Sequence, residues 1–363
     1  MLLGKNPIAT GGDDLLFARV LSLIRVDLKT GKGPRTLSPP GCHLGEDLAV
    51  VGRMVLFHCV DQPSEERTFL PRKPTGDLVA RNLDAAKVSW RLRGVLPTPL
   101  AVQGNATYAL RGGALLAVSL DDGRVLWRVP GIGAPRTGPA VGGDLVVVQD
   151  ARGRLRAFDS ATGEARWDQK LKGRLFHPPL RVEDVVWAVA SVEGQRAPSI
   201  VVTGHAVKSG ETLWQHSLSS ALPFFPAVPN PDGILLATTG DGDRPGHLHS
   251  FDQSGHLRWQ QDVATDANGH AFTPTVVGEQ VLMWSGDLAS FRRHGVSAFY
   301  ELVSFDRKTG TRLWTRRFRE PEKPTLSRPL VIGDSFIYAD GETVFSWPWP
   351  FPDPKYRAAP ASR

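Results

Sequence analysis

Short runs of apolar residues, separated by turn residues, recur along the whole chain and predict β-strands rather than helices. The clearest stretch, 138–167, reads GPAVGGDLVVVQDARGRLRAFDSATGEARW. Its runs PAV, LVVV, RLRAFD and EARW predict four antiparallel strands, named A to D in chain order. Glycine-containing turns separate the strands, and Asp159 is placed to accept hydrogen bonds from the turn that ends at Gly163. The stretch therefore predicts one small four-stranded sheet.

The end of this stretch is repeated along the chain as a hydrophobic run, an Asp, a Thr-Gly or Ser-Gly turn and then a Trp. The copy before Trp127 has an Asp-Gly turn, and the copy before Trp90 lacks the glycine. The copy before Trp214 is interpreted with Val207 in place of the Asp, and the turn near Asp27 has no Trp. The copies end at Trp90, Trp127, Trp167, Trp214, Trp259 and Trp314. A second repeated element consists of a Pro, two or three apolar residues, a turn with Gly or Asp, and then a valine-rich run. Its copies and their relatives begin near Pro7, Glu46, Pro99, Gly138, Pro179, Pro226, Pro274 and Pro329.

Eight copies of a four-stranded unit predict a single closed ring. A sheet this small cannot bury both faces by itself, whereas units stacked around an axis cover each other and protect their edges. We therefore predict an all-β fold, a single eight-bladed β-propeller of four-stranded antiparallel blades, with seven blades as the alternative. One Trp per unit suits the gap between blades, so we interpret the six tryptophans as packing residues.

The spacing of Asp, Thr-Gly and Trp resembles the PQQ-like, or quinoprotein-type, repeat over about residues 8–347. That family includes quinoprotein alcohol dehydrogenases and the lipoprotein that assembles outer membrane proteins in Gram-negative bacteria, and both are eight-bladed rings. The resemblance implies the fold strongly and the function weakly, because one repeat serves enzymes and scaffolds alike. The chain is closer to the non-enzymatic assembly scaffolds.

The predicted domain boundaries are 1–350 for the propeller and 351–363 for a loose, Pro-rich tail. The last unit lacks a regular fourth strand because prolines follow Trp347. We expect residues 1–5 to supply this missing outer strand; the alternative is a three-stranded last blade.

Composition adds little about chemistry. The net charge of +6 is compatible with anionic partners, but the arginines are scattered and no nucleic-acid motif is present, so we expect no nucleic-acid partner. Cys42 and Cys59 are outside any metal-ligand spacing. They are expected to be unpaired thiols, with one disulfide as the alternative. Without a secretory leader or a long apolar segment, the chain as written is expected to be cytoplasmic. A missing native start would instead make it periplasmic or extracellular.

Candidate binding residues lie where loops open on one end of the ring. Long B–C loops are predicted in units 2, 5, 6 and 7, at about 61–77, 191–199, 239–246 and 285–298, whereas units 3 and 4 have almost none. The 285–298 loop carries a basic tip, Arg292, Arg293 and His294. Residues before each strand A are expected to surround the channel mouth and to suit an acidic or carbonyl-bearing partner. They are Arg136, His177, Phe225, His270, Phe272 and Arg328.

The residues for enzymatic or metal chemistry are fewer. His247 and His249, with Asp241 upstream, form a weak candidate metal site; ordinary surface histidines are the alternative. The family's enzymes hold PQQ with calcium, often beneath adjacent cysteines, but this chain has no adjacent cysteines and only Asn268 as an asparagine near the predicted mouth. A saccharide enzyme would need convergent carboxylates, for which Asp241, Asp266 and Glu320 are the candidates.

The absence of a catalytic motif favours a non-catalytic propeller that presents its loop-bearing face to another protein. This interpretation expects no cofactor, no catalytic residue and a monomer whose partner is unidentified. The alternative is a quinoprotein-type oxidoreductase, or another small-molecule or saccharide enzyme, that uses the central channel.

Overall fold

The computed structural model describes residues 8–9, 14–19, 22–27, 35–36, 42–60, 75–85, 87–192, 199–219, 227–239, 245–264, 273–286, 300–317, 329–340 and 343–350. In these ranges the strands form eight successive antiparallel units. Blades 1 to 4 contain β1 (Ile8–Ala9), β2 (Asp14–Arg19), β3 (Ser22–Asp27), β4 (Arg35–Thr36), β5 (His43–Val51), β6 (Met54–Val60), β7 (Gly76–Asn82), β8 (Val88–Val95), β9 (Ala101–Gln103), β10 (Ala106–Arg111), β11 (Ala114–Ser119), β12 (Val125–Val129), β13 (Ala140–Gly142), β14 (Leu145–Gln149), β15 (Arg154–Asp159) and β16 (Ala165–Lys170).

Blades 5 to 8 continue the same order. Their strands are β17 (Arg174–Leu175), β18 (Leu180–Val182), β19 (Val185–Val192), β20 (Ser199–Ala206), β21 (Thr212–Ser219), β22 (Val228–Asn230), β23 (Gly233–Thr238), β24 (Gly246–Asp252), β25 (Leu257–Val263), β26 (Thr275–Val277), β27 (Gln280–Gly286), β28 (Tyr300–Asp306), β29 (Arg312–Arg317), β30 (Leu330–Ile332), β31 (Ser335–Asp340) and β32 (Thr343–Pro348).

Each complete blade follows the A-to-D order expected from 138–167. In blade 4 the strands pair as β13–β14–β15–β16, and the Asp159 carboxylate accepts the backbone N–H groups of Ala161 and Thr162 at 2.9 Å. Two local additions modify the pattern. Blades 2 and 3 are joined into one sheet through the pair Arg111↔Val95, and β17 adds a short strand to blade 5.

Apolar side chains fill every gap between successive blades from the first to the eighth. Strands B and C supply most of them, because those strands are covered on both faces. In the gap between blades 5 and 6, for example, Trp187, Ile200, Ile234 and Phe251 are all buried in one cluster. Comparable clusters join blades 1–2, 2–3, 3–4, 4–5 and 6–8.

A repeated tryptophan–glycine contact fixes neighbouring blades against each other. The indole of Trp167 in blade 4 donates its N–H to the carbonyl of Val207 in blade 5 at 2.7 Å. A Cβ added to Gly210 would lie 2.6 Å from the same indole. Trp90, Trp127 and Trp259 donate likewise to Leu120, Ser160 and Arg307, beside Gly123, Gly163 and Gly310. The interpretation of these tryptophans as packing residues is confirmed.

At two junctions between blades, a different contact takes the place of the tryptophan–glycine contact. Blade 1 has no Trp, and Arg25 donates from Nη1 to the Leu83 carbonyl of blade 2 at 3.0 Å. At blade 8, the ring of Trp314 meets that of Trp349 with centroids 6.3 Å apart. Trp214 still packs on Gly255 of blade 6, although the C–D turn that contains Gly255 is one residue shorter than the other described C–D turns.

The structure corrects the alignment of blade 5. The backbone of Ala206 makes the turn hydrogen bonds with Glu211 and Gly210 that Asp159 makes with Glu164 and Gly163 in blade 4. Ala206 therefore replaces the Asp, and the placement of Val207 there was wrong by one residue. Val207 instead supplies the carbonyl that Trp167 contacts.

The expectation of unpaired thiols is also wrong, because Cys42 and Cys59 form a disulfide. Leu44 pairs with Cys59 across β5 and β6, and this pairing brings the two Cα atoms to 5.0 Å. Both cysteines are buried. The disulfide lies at the end of blade 2 where β6 leads into the 61–77 loop.

Several expectations fall outside the described residues. These are the strand from residues 1–5, the tail 351–363 and the greater part of the four long B–C loops. Among described residues, blade 8 has three strands. The short B–C turns predicted for units 3 and 4 are confirmed at residues 112–113 and 150–153. The division into a 1–350 domain and a tail stays a prediction.

Candidate protein-interaction face

The two ends of the ring differ in construction. We call the end with the B–C turns and the D-to-A connections the loop face, and the opposite end, with the A–B and C–D turns, the turn face. On the loop face the structure describes three complete D-to-A connections, residues 96–100, 130–139 and 171–179. The last two carry residues that were predicted for the channel mouth.

Buried hydrogen bonds hold connection 171–179 in place. Gln149, at the end of β14, is 5% exposed. Its Nε2 donates to the Gly173 carbonyl at 3.0 Å, and its Oε1 accepts from the Leu175 N–H at 2.9 Å. Asp150 fixes the adjoining B–C turn, because its Oδ1 accepts the N–H groups of Arg152 and Arg154 at 2.9 Å.

Connection 130–139 is fixed by backbone contacts with the turns on either side. The Ile132 N–H donates to the Gly113 carbonyl of blade 3 at 2.9 Å, and its carbonyl accepts from Ala151 of blade 4 at 2.9 Å. Gly133 is required here because a Cβ would lie 2.6 Å from the Ala151 Cβ, and its φ is +76°. The loop face of blades 3 to 5 is therefore ordered by the scaffold beneath it.

This arrangement determines which side chains reach solvent. Arg136 is exposed and His177 is half-buried, each on one of the two connections. Phe176, the residue before His177, is 38% exposed. It was not among the residues predicted for the channel mouth. The other predicted residues, Phe225, His270, Phe272, Arg328, Arg292, Arg293 and His294, lie outside the described residues.

His247 and His249 lie side by side on β24, with ring centroids 5.7 Å apart. His249 is buried, and its Nε2 lies 3.2 Å from the Thr238 hydroxyl. Burial, followed by the neighbouring His247, lowers the pKa of His249 to about 4. His247 is half-buried, with its Nε2 3.4 Å from an Asp262 oxygen. The pair therefore belongs largely to the packed interior, and His249 is not the surface histidine of the alternative.

The remaining metal and enzyme candidates are not brought together in the described ranges. There, no group of three or more His, Cys, Asp or Glu residues is arranged to hold a metal ion. Asp241, Asp266, Glu320 and Asn268 lie outside those ranges. The metal, quinone and saccharide hypotheses thus gain no geometric support.

Ion pairs on the turn face have a structural role. Arg307 of blade 7 is nearly buried, and its guanidinium contacts Asp232 of blade 6 and Glu279 of blade 7, the latter at 2.9 Å. Hydrogen bonding to Glu279 is the main cause of the raised pKa of Arg307. In blade 4, hydrogen bonding from Arg166 is the main cause that lowers the pKa of Asp159 to about 2.

Comparison with known proteins explains this architecture. Residues 111–200 and 198–345, more than half of the chain, match the family described as outer membrane protein assembly factor BamB. The chain belongs to this family. The BamB of Shewanella oneidensis is 25% identical over 230 residues, which are 62% of this chain and 45% of the relative. The BamB of Burkholderia pseudomallei is 27% identical over 260 residues, 68% of this chain and 63% of the relative. The chain spans about half the length of the curated relatives it matches.

Solved structures confirm the predicted propeller fold. The crystal structure of BamB from Moraxella catarrhalis has a TM-score of 0.62 at 15% identity and covers 93% of this chain and 94% of its own. A europium-containing methanol dehydrogenase has a TM-score of 0.55 at 13% identity and covers 84% of this chain and 78% of its own. These low identities show a shared fold and carry no information about activity.

The expectation of a cytoplasmic chain is wrong. The relatives are named for the assembly of outer membrane proteins, which takes place outside the cytoplasm. The Cys42–Cys59 disulfide agrees with this correction, because structural disulfides persist in oxidising compartments. No helix in the described part of the chain is long and apolar enough to cross a membrane.

Proposed function

We propose that this chain is a non-catalytic scaffold that binds another protein through its loop face during the assembly of outer membrane proteins. Membership of the BamB family supports this role. The observation that carries the proposal is the pair of connections 130–139 and 171–179. The buried Gln149 side chain holds connection 171–179, and backbone hydrogen bonds to the flanking B–C turns hold connection 130–139. The two connections present Phe176 and Arg136 to solvent.

Rigid presentation matters because binding then costs little ordering of the chain. Aromatic side chains and arginines are also enriched among the residues that contribute most to binding at protein interfaces. The proposal places the partner across the loop face of blades 3 to 5. It assigns no chemical step to the chain.

Site-specific photo-crosslinking in the source bacterium tests this proposal. The photoreactive residue replaces Arg136 or Phe176, and Lys208, an exposed turn-face residue, is the matched control position. We expect the same protein partner to be captured from Arg136 and from Phe176 and not from Lys208. Capture of no protein from either loop-face position, or equal capture from all three positions, would contradict it.

A further inference from the structure

Eight basic side chains lie on the loop face of blades 2 to 5, although they are scattered along the chain. Each lies near the end of strand B or D, in a B–C turn or in a D-to-A connection, and each is exposed. We call this set the basic sector. It consists of Arg93, Arg111, Arg128, Arg136, Arg152, Lys170, Lys172 and Arg174.

The nearby carboxylates that the structure describes are occupied by other contacts. Asp168 pairs with Arg154 at 2.5 Å, and Asp77 pairs with Arg91 at 3.5 Å. Asp150 is 6% exposed and is occupied by backbone N–H groups of its turn. Within the described ranges, none of the eight cations has a carboxylate within ion-pair distance.

Such an arrangement has a cost for the isolated chain. Lys170 stands directly opposite Arg154 across β16 and β15, and like charges in that relation repel. The same blades do pair their charges on the turn face, where Arg181 contacts Asp144 and Arg166 contacts Asp159. Among the described residues, positive charge without an ion-pair partner is thus concentrated on one end of the ring.

We propose that the basic sector is a docking site for an acidic segment of the partner protein. This inference rests on the proposed function and adds the chemistry of the partner. Six of the eight side chains are arginines, whose planar guanidinium groups bind carboxylates through two parallel hydrogen bonds. Phe176, on the adjacent connection, adds an apolar contact within the same face.

The distribution of apolar side chains favours a protein over an anionic membrane surface. A membrane-binding face combines cations with several large apolar side chains. Among described residues, Phe176 is the one large apolar side chain counted as exposed on the loop face. The others, Val125, Leu126, Leu213, Leu257 and Leu313, lie at the turn-face ends of strands D.

Binding of a fluorescent oligo-glutamate peptide to the purified chain tests the inference by anisotropy. The loop-face variant is Arg111→Glu/Arg152→Glu. The control is Lys87→Glu/Lys208→Glu on the turn face, where both lysines are exposed. Both variants change the net charge equally, and neither alters an ion pair of the described residues. Unchanged thermal unfolding shows that each variant folds.

We expect the loop-face variant to bind the peptide about tenfold more weakly or worse, and the control to change less than about twofold, because local complementarity exceeds the effect of net charge. We also expect the wild-type interaction to weaken steeply with salt, and vesicles containing phosphatidylglycerol not to bind. Equal weakening in both variants, or binding to the vesicles without binding to the peptide, would overturn the inference.

The photo-crosslinking experiment separates this inference from the proposed function. If Arg111→Glu/Arg152→Glu leaves capture of the partner at Phe176 undiminished, the acidic docking site is wrong while the scaffold function stands. If no protein is captured at either loop-face position, the scaffold function itself fails.

Discussion

The substitution Gly210→Ala probes the contact that joins one blade to the next. Gly210 has φ of +74°, and a Cβ there would lie 2.6 Å from two indole carbons of Trp167. Alanine in the left-handed region costs roughly 1–2 kcal/mol. Overpacking against the indole adds roughly 1–3 kcal/mol. We therefore expect the free energy of unfolding to fall by about 3 kcal/mol.

Gly278→Ala is the matched control, because Gly278 also has a left-handed φ, +56°, yet a Cβ there would meet nothing within 4 Å. It should lose only the backbone contribution, roughly 1–2 kcal/mol. Urea unfolding of both variants measures the difference. Adding Trp167→Ala to Gly210→Ala should remove the clash, so the two substitutions should be non-additive by about 1 kcal/mol or more. Equal losses at Gly210 and Gly278, with additive behaviour at Trp167, would refute the interblade role of the contact.

Three further perturbations test other parts of the fold. Replacing Cys42 and Cys59 by Ser should lower the free energy of unfolding by about 3 kcal/mol, as expected for a loop with a separation of 17 residues; a wild-type urea midpoint unaffected by reductant would contradict this. Burial is the main cause that lowers the pKa of His58 and of His249 to about 4. The unfolded chain therefore takes up protons first as pH falls below about 6.5, and each histidine should cost about 2 kcal/mol between pH 7 and pH 5. Urea unfolding at both pH values should show a smaller loss in His249→Gln than in the wild type, and an unchanged loss would exclude this contribution. Arg307→Met should destabilise the chain by about 1.5 kcal/mol, because Asp232 and Glu279 lose hydrogen bonds to a shared cation but keep their contacts with Arg258 and Lys308; a loss below about 0.5 kcal/mol would show that the ion pairs are dispensable.

Local chemistry explains why the blades were predictable. The turn beginning at Asp159 needs a side-chain acceptor and a glycine four residues later, and the Trp that follows needs an adjacent Gly in the next blade. These requirements leave a readable spacing in the sequence. In blade 5 the side-chain acceptor is missing because Ala206 stands at the Asp position, and the sequence alignment there was wrong by one residue.

Features that depend on long-range proximity were not readable in the same way. Cys42 and Cys59 approach each other because β5 and β6 pair, and no local spacing marks that contact. The basic sector was missed for a related reason. Arg111 and Arg152 are 41 positions apart in the chain, and only the blade topology brings their turns to the same face.

The predicted mouth residues divide along the same line. Arg136 and His177 were predicted because each lies shortly before a strand A that is preceded by a recognisable Pro. Phe176 was missed, since a solvent-facing aromatic ring has the same sequence signature as a buried one. Its exposure is set by Gln149, whose hydrogen bonds hold the connection 171–179 from below.

Hydrogen exchange of the purified chain, with and without the partner captured by crosslinking, tests the central claim most directly. We predict that the partner slows exchange in residues 130–139 and 171–179 on the loop face, and leaves the turn-face segments 160–164 and 207–211 unchanged. Protection confined to the turn-face segments, with unchanged exchange in both connections, would contradict the assignment of the loop face as the protein-binding surface.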